Sequence, residues 1–236
     1  PARVAGFAGD YILDTGQART VLALTQAQEA GFGDPELNGA VEMAGLVLPA
    51  QPVTVAKIDV RTGLFPTPIS GIIGADALRG HVLDIRFDPC RVRFYPAGRA
   101  PPFRRAMSLP LTFLTGAPAV RAAVTDGARA EAGLFVLSTG SDTAVRISDA
   151  AAAAPGAPKP REVYPYGVAR PTLRALSFAS GLYQDLGAGL ITPRDPQELG
   201  EIGAPVLSHY RVRFDFPAAR LLLSPQTERA PATPRP

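Results

Sequence analysis

Asp14, Thr15 and Gly16 stand inside the stretch YILDTGQARTVL, with an apolar run leading into the carboxylate and another following it. A carboxylate held at the end of a strand can act as a general base on a water molecule. The same tripeptide also serves as a plain polar turn, because short patterns recur by chance. Local structure and the presence of a partner residue decide between the two. Other chemistry is thinner. His81 and His209 could be imagined as a metal pair, or as part of a triad with Ser138, but both flank expected strand starts and read better as structural residues. The chain carries no Gly-x-Ser-x-Gly elbow, no phosphate loop and no zinc-spaced ligand cluster.

A partner for Asp14 emerges from self-similarity. GDYILDTGQARTVLAL, from Gly9, returns as GLFVLSTGSDTAVRIS, from Gly133. GIIGADAL (Gly71 to Leu78) returns as GEIGAPVL (Gly200 to Leu207). LDIRFDPCRVRFYP is matched by YRVRFDFPAARLLLSP. Three blocks recur in one order at nearly constant separation, which predicts two copies of one structural unit. Within each copy, GDYILD, QPVTVAKIDV, HVLDIRFD and RVRFYP alternate or run apolar as strands do. Thr25 and Gln28 fit a capping box, so a short helix is expected there, ending near Gly31. The run of alanines after Asp149 predicts another short helical turn, then a flexible loop.

A strand into Asp-Thr-Gly, followed by a hydrophobic-hydrophobic-Gly turn into a short helix, resembles the aspartic peptidases. The specific likeness is to the retropepsin-like half-unit, duplicated in one chain as in the two-lobed pepsin-like enzymes, and it covers Val4 to Pro225. The resemblance implies an all-β fold of two pseudo-symmetric β-barrel lobes with short helices and a cleft between them. Lobe one then spans residues 1–98, the Pro- and Arg-rich RAPPFRRAM forms a linker at 99–107, lobe two spans 108–225, and 226–236 is a flexible tail.

The resemblance also assigns roles. Peptide hydrolysis in this family uses two carboxylates sharing one proton across a water, one from each half-unit. Asp14 matches the first. Ser138 occupies the position of the second, where a hydroxyl can hydrogen-bond Asp14 or a water but cannot hold the shared proton. Thr15, Gly16, Thr139 and Gly140 match the residues that tie the two loops together. Ser141 resembles the supporting hydroxyl of pepsin-like loops, and Asp142 the acidic residue that grips substrate backbone. Their counterparts beside Asp14 are Gln17 and Ala18, so the constellation is divided between the halves. In lobe two, REVYPYGVARPTL offers a hairpin that could close over a peptide with Tyr164, Tyr166 and Gly167, whereas GFGDPELNGAVEM in lobe one is short for a full flap. The implied function is binding of an extended peptide in the inter-lobe cleft, with hydrolysis impaired at Ser138. The alternative is an active aspartic endopeptidase that uses Asp14 with an ordered water, or pairs it across a homodimer.

Composition bounds the rest. At 236 residues, 46% hydrophobic and 19% charged, the chain can bury a substantial core. It has no apolar run near the roughly 18 residues that cross a bilayer as a helix. A net charge of +3, with the arginines scattered along the sequence, gives no reason to expect nucleic acid. Arginine far outnumbers the two lysines, Lys57 and Lys159, and alanine is abundant, which reads as the codon bias of a GC-rich bacterial genome. Cys90 is the lone cysteine; it excludes an internal disulfide and is expected to be a packing residue. No cofactor and no metal are implied, and a monomer is expected. The chain opens on Pro1 without a Met, consistent with export and removal of a leading segment, though a lone cysteine suits either side of a membrane.

Overall fold

The computed structural model describes residues 1–58, 67–158, 161–163 and 170–226, with backbone alone for 161–163, 170 and 171. Six strands of the first half, β1 (Ala2–Val4), β2 (Phe7–Leu13), β3 (Val21–Ala23), β4 (Glu36–Met43), β5 (Leu46–Ala56) and β6 (Ile69–Ile73), close into a barrel. Around it they run in the order β1-β2-β6-β3-β5-β4. Next come β7 (His81–Arg86), β8 (Arg91–Pro96), β9 (Met107–Pro110) and β10 (Thr112–Leu114). The second half holds β11 (Ala117–Thr125), β12 (Ala130–Leu137), β13 (Val145–Ser148), β14 (Arg161–Val163), β15 (Arg170–Phe178), β16 (Gly181–Ile191) and β17 (Glu198–Ile202). There β11-β12-β17-β13-β16-β15 is closed by pairing of β11 with β15, while β10 and β14 extend the sheet.

The two barrels share one strand order, and their registers agree in detail. In the first, β2 runs parallel to β6 with a slip between Asp10 and Tyr11; in the second, β12 runs parallel to β17 with a slip between Leu134 and Phe135. Positions 10 and 134 are separated by the same 124 residues as Asp14 and Ser138. A bulge shifts every later side chain to the opposite face, so equal placement of the slip aims equivalent residues alike. The expected all-β, two-lobed architecture is therefore the observed one.

A third sheet joins the lobes. β18 (Tyr210–Asp215) and β19 (Arg220–Pro225), from the end of the chain, pair with β7 and β9, giving the order β8-β7-β18-β19-β9. Its inner face carries Ile85, Leu83, Val212, Phe214, Leu221 and Leu223, all buried, and they belong to a core continuous with both barrels. Strand alternation then sends the intervening arginines outward.

Four short helices complete the described residues: α1 (Leu24–Glu29), α2 (Ala75–Leu78), α3 (Asp149–Ala153) and α4 (Ala204–Leu207). The predicted capping box is not formed. α1 starts at Leu24 behind Ala23, with no side-chain cap, because β3 runs straight into the helix and leaves Thr25 inside it. The helix ends where expected, with Gly31 in the left-handed region. In α3 the Ser148 hydroxyl does cap, accepting from the Ala151 amide at 3.3 Å. Cys90 is exposed in the β7–β8 turn and not packed, because the turn carries it beyond the last rung of that hairpin, Arg86 opposite Arg91.

Candidate active site

β2 and β12 each deliver a loop to the junction of the lobes. The Asp14 amide donates to the Ile73 carbonyl at 3.0 Å, and the Ser138 amide to the Ile202 carbonyl at 2.9 Å, so each loop leaves its barrel in the same way. Behind them stand the two Gly turns. Ala75 donates to Gln17 at 2.7 Å and Ala204 to Ser141 at 2.9 Å, fastening each loop to the turn before α2 or α4. Two of the three repeated blocks of the sequence thus converge on one pair of loops.

The loops interlock. Thr15 Oγ1 donates to the Leu137 carbonyl at 2.6 Å, and Thr139 Oγ1 donates to the Leu13 carbonyl at 2.7 Å. The Thr15 amide donates in turn to Thr139 Oγ1 at 3.1 Å. Each threonine therefore satisfies a carbonyl of the opposite strand, and the Leu137 carbonyl in particular, which is buried, would be costly to leave unpaired. Such close approach requires the two glycines. A Cβ on Gly16 would lie 2.6 Å from Ser138 Cβ, and one on Gly140 would lie 2.8 Å from Asp14 Cβ. Any larger residue at either position would push the loops apart.

Asp14 and Ser138 meet at the centre, both almost wholly buried. Ser138 Oγ donates to Asp14 Oδ1 at 2.8 Å. The same oxygen accepts the amides of Gly16 at 2.9 Å and Gly140 at 3.2 Å. The carboxylate is thus held by donors from both loops, and its geometry depends on both lobes. Ser141 is buried with its hydroxyl 3.5 Å from the Thr143 carbonyl. Asp142 is exposed and lies 3.8 Å from the Arg146 guanidinium. Ala18 packs against Leu114, Ala117, Ala119 and Val136 of lobe two. Tyr164, Tyr166 and Gly167 lie outside the described residues; β14 and β15, which flank them, pair antiparallel from Val163 opposite Arg170 to Arg161 opposite Thr172. His81 opens β7, and His209 precedes β18 with its ring 5.2 Å from that of Tyr183.

One residue of this arrangement is absent from the sequence reading. Arg194, in the loop between β16 and β17, donates through Nη1 to the Gly16 carbonyl at 2.5 Å. Its Nη2 donates to Glu198 at 2.8 Å and to Glu201 at 2.7 Å, two buried carboxylates of β17, and Nε donates to Glu198 at 3.3 Å. Burial by itself would lower the Arg194 pKa, but Glu198 and Glu201 outweigh it and hold the guanidinium above its ordinary range. Arg146 adds a second cation 3.6 Å from Glu201. A clue was present: Glu201 stands in an otherwise apolar block, where the first copy has Ile72, and a charge in a buried strand calls for a partner.

No protein-family model and no curated protein matches the chain. Among solved structures it is similar to an aspartic proteinase from Irpex lacteus, with a TM-score of 0.55 and 12% identity over 96% of this chain and 93% of that one. At that identity the likeness is one of fold.

Proposed function

We propose that this protein is a peptide-binding member of the aspartic-peptidase fold, and that it holds an extended chain in the cleft between its lobes with little or no hydrolysis. The observation that carries the reading is the Ser138 hydroxyl bonded to Asp14 Oδ1 at 2.8 Å, in the loop equivalent to Asp14's own. Asp14 can serve as a general base toward a water. The second half of the reaction needs an acid that polarises and then protonates the scissile carbonyl oxygen, and a serine hydroxyl does not release its proton for that purpose. Groups that act as a unit lose most of their rate when one is missing. Affinity can survive the loss of turnover, since an extended peptide is held through main-chain hydrogen bonds and side-chain pockets. Thr15, Gly16, Thr139 and Gly140 keep the loops in place in this reading, while Asp142, Tyr164, Tyr166 and Gly167 contact the peptide.

A homodimer that pairs two Asp14 residues is disfavoured, because the lobe-one loop already spends its threonine and glycine contacts on lobe two. The test compares three forms of the protein on a broad peptide library at mildly acidic to neutral pH. The unaltered protein should bind peptide without cleaving it. Ser138→Asp should gain hydrolysis, strongest on the acid side where two adjacent carboxylates share one proton. Ser138→Asp with Asp14→Asn should lose it again. Cleavage by the unaltered protein at a rate near that of Ser138→Asp would replace this reading with an active endopeptidase relying on Asp14 and an ordered water.

A further inference from the structure

The outer face of the five-stranded sheet gathers what the sequence scatters. Arg93 lies opposite Asp84, and Asp84 lies opposite Arg213, so these three form one row across β8, β7 and β18. Arg91 pairs with Arg86 in the neighbouring row, and Arg211 stands one residue beyond the Val212–Ile85 pair on the same face. Five guanidiniums therefore share a small area with one carboxylate. Asp84 is buried and already committed: its Oδ2 accepts Arg211 at 2.7 Å and Arg213 at 2.9 Å, and its Oδ1 accepts Arg213 Nε. Asp215, farther along the face, is paired with Arg220. Among the described residues, Arg86, Arg91 and Arg93 form no ion pair.

The linker covers only one end of this face. The Phe103 ring lies 4.6 Å from both Arg211 and Arg213, and the Pro101 carbonyl accepts Arg213 Nη1 at 2.7 Å. Beyond it a hollow of about 140 Å³ opens, lined by Asp84, Ile85, Arg86, Arg91, Arg93 and Arg211. That is room for a phosphate-sized oxyanion together with several water molecules.

We propose that this hollow is a binding site for a phosphate group, either free or presented as a lipid headgroup. Three exposed guanidiniums without acidic partners surround it, and their mutual repulsion is relieved by a multiply charged anion. The planar fork of arginine matches phosphate oxygens two at a time. Asp84 fixes the floor: by holding Arg211 and Arg213 it keeps one wall of the site in place and prevents those side chains from folding into the hollow.

Calorimetric titration of the whole chain with sodium phosphate at low salt tests the site, alongside Arg91→Ala/Arg93→Ala. Both residues are exposed on an edge strand, so the variant should fold, which its melting curve checks. Arg3→Ala/Arg121→Ala removes the same charge elsewhere. Co-sedimentation with phosphatidylcholine vesicles containing phosphatidic acid identifies the source of the phosphate. We expect saturable binding by the unaltered protein and the control, weakened at least about tenfold in the double variant as charge-assisted bonds are lost. Binding of phosphate without vesicle uptake assigns a free ligand. Vesicle uptake that phosphate displaces assigns a headgroup. Failure of both probes to bind saturably, or equal weakening in the double variant and the control, overturns the proposal.

Discussion

Arg194 of lobe two and Gly16 of lobe one are joined by a hydrogen bond of 2.5 Å, so the guanidinium that neutralises Glu198 and Glu201 also holds the loop carrying Asp14. Among the described residues, removing the Arg194 side chain leaves Glu201 with the Arg146 guanidinium 3.6 Å away and Glu198 with the residue-194 backbone amide, and loses a contact between the lobes. Arg194→Ala should cost about 3–5 kcal/mol, the range found when one member of a buried ion pair is deleted. Chemical denaturation measures this; a loss below roughly 1 kcal/mol, typical of exposed pairs, would mean that the clamp is solvated.

Thr15 and Thr139 should behave as one device. Thr15→Val leaves the buried Leu137 carbonyl without its donor, at about 1–3 kcal/mol, and Thr139→Val does the same to the half-buried Leu13 carbonyl, at about 1 kcal/mol. Because the Thr15 amide also donates to Thr139 Oγ1, the double variant should depart from additivity by more than about 0.5 kcal/mol. Additive losses in a double-mutant cycle would show that the loops are held independently.

Gly16→Ala places a methyl group 2.6 Å from Ser138 Cβ, and the backbone of one loop must move. The expected cost is about 1–3 kcal/mol, as for an overpacked core. A more specific result is expected in the cleft. In a Ser138→Asp background the added methyl should abolish the gained hydrolysis even at temperatures where the protein stays folded, because it separates positions 14 and 138.

Two tyrosines should ionise late. Burial pushes Tyr11 up to about 12 from an ordinary value of 10. Burial, with the 2.6 Å bond to Tyr210, raises Tyr183 as well. For Tyr11 the folded chain holds the phenolic proton more tightly than the unfolded one. Its stabilising contribution is therefore whole below about pH 10 and disappears as pH rises toward 12. An ultraviolet titration should show phenolate forming late, and Tyr11→Phe should remove one late step. Ionisation of every tyrosine in one early transition would contradict the burial of both rings.

The sequence by itself determined the architecture, because repeated blocks encode repeated local structure. Alternating apolar strands, an x-Thr-Gly at the end of each leading strand and a hydrophobic-hydrophobic-Gly turn are local signals. They recur in the order that builds two equivalent barrels. Asp14 and Ser138 could be named for the same reason, as the residues that each copy places before Thr-Gly. Tertiary structure decided what depends on side chains distant in the chain meeting across a boundary. Ser138 donates to a carboxylate 124 residues away, and Arg194 reaches Gly16 across 178. No periodicity within a segment carries such distances. The arginines make the same point. Arg86, Arg91 and Arg93 look dispersed beside Arg211 and Arg213, and only the antiparallel register of β8, β7 and β18 turns them to one face. A lone cysteine is most often a packing residue, yet Cys90 falls in a turn where the chain reverses outside the core. Local chemistry chooses the elements, and the register between elements chooses which residues meet.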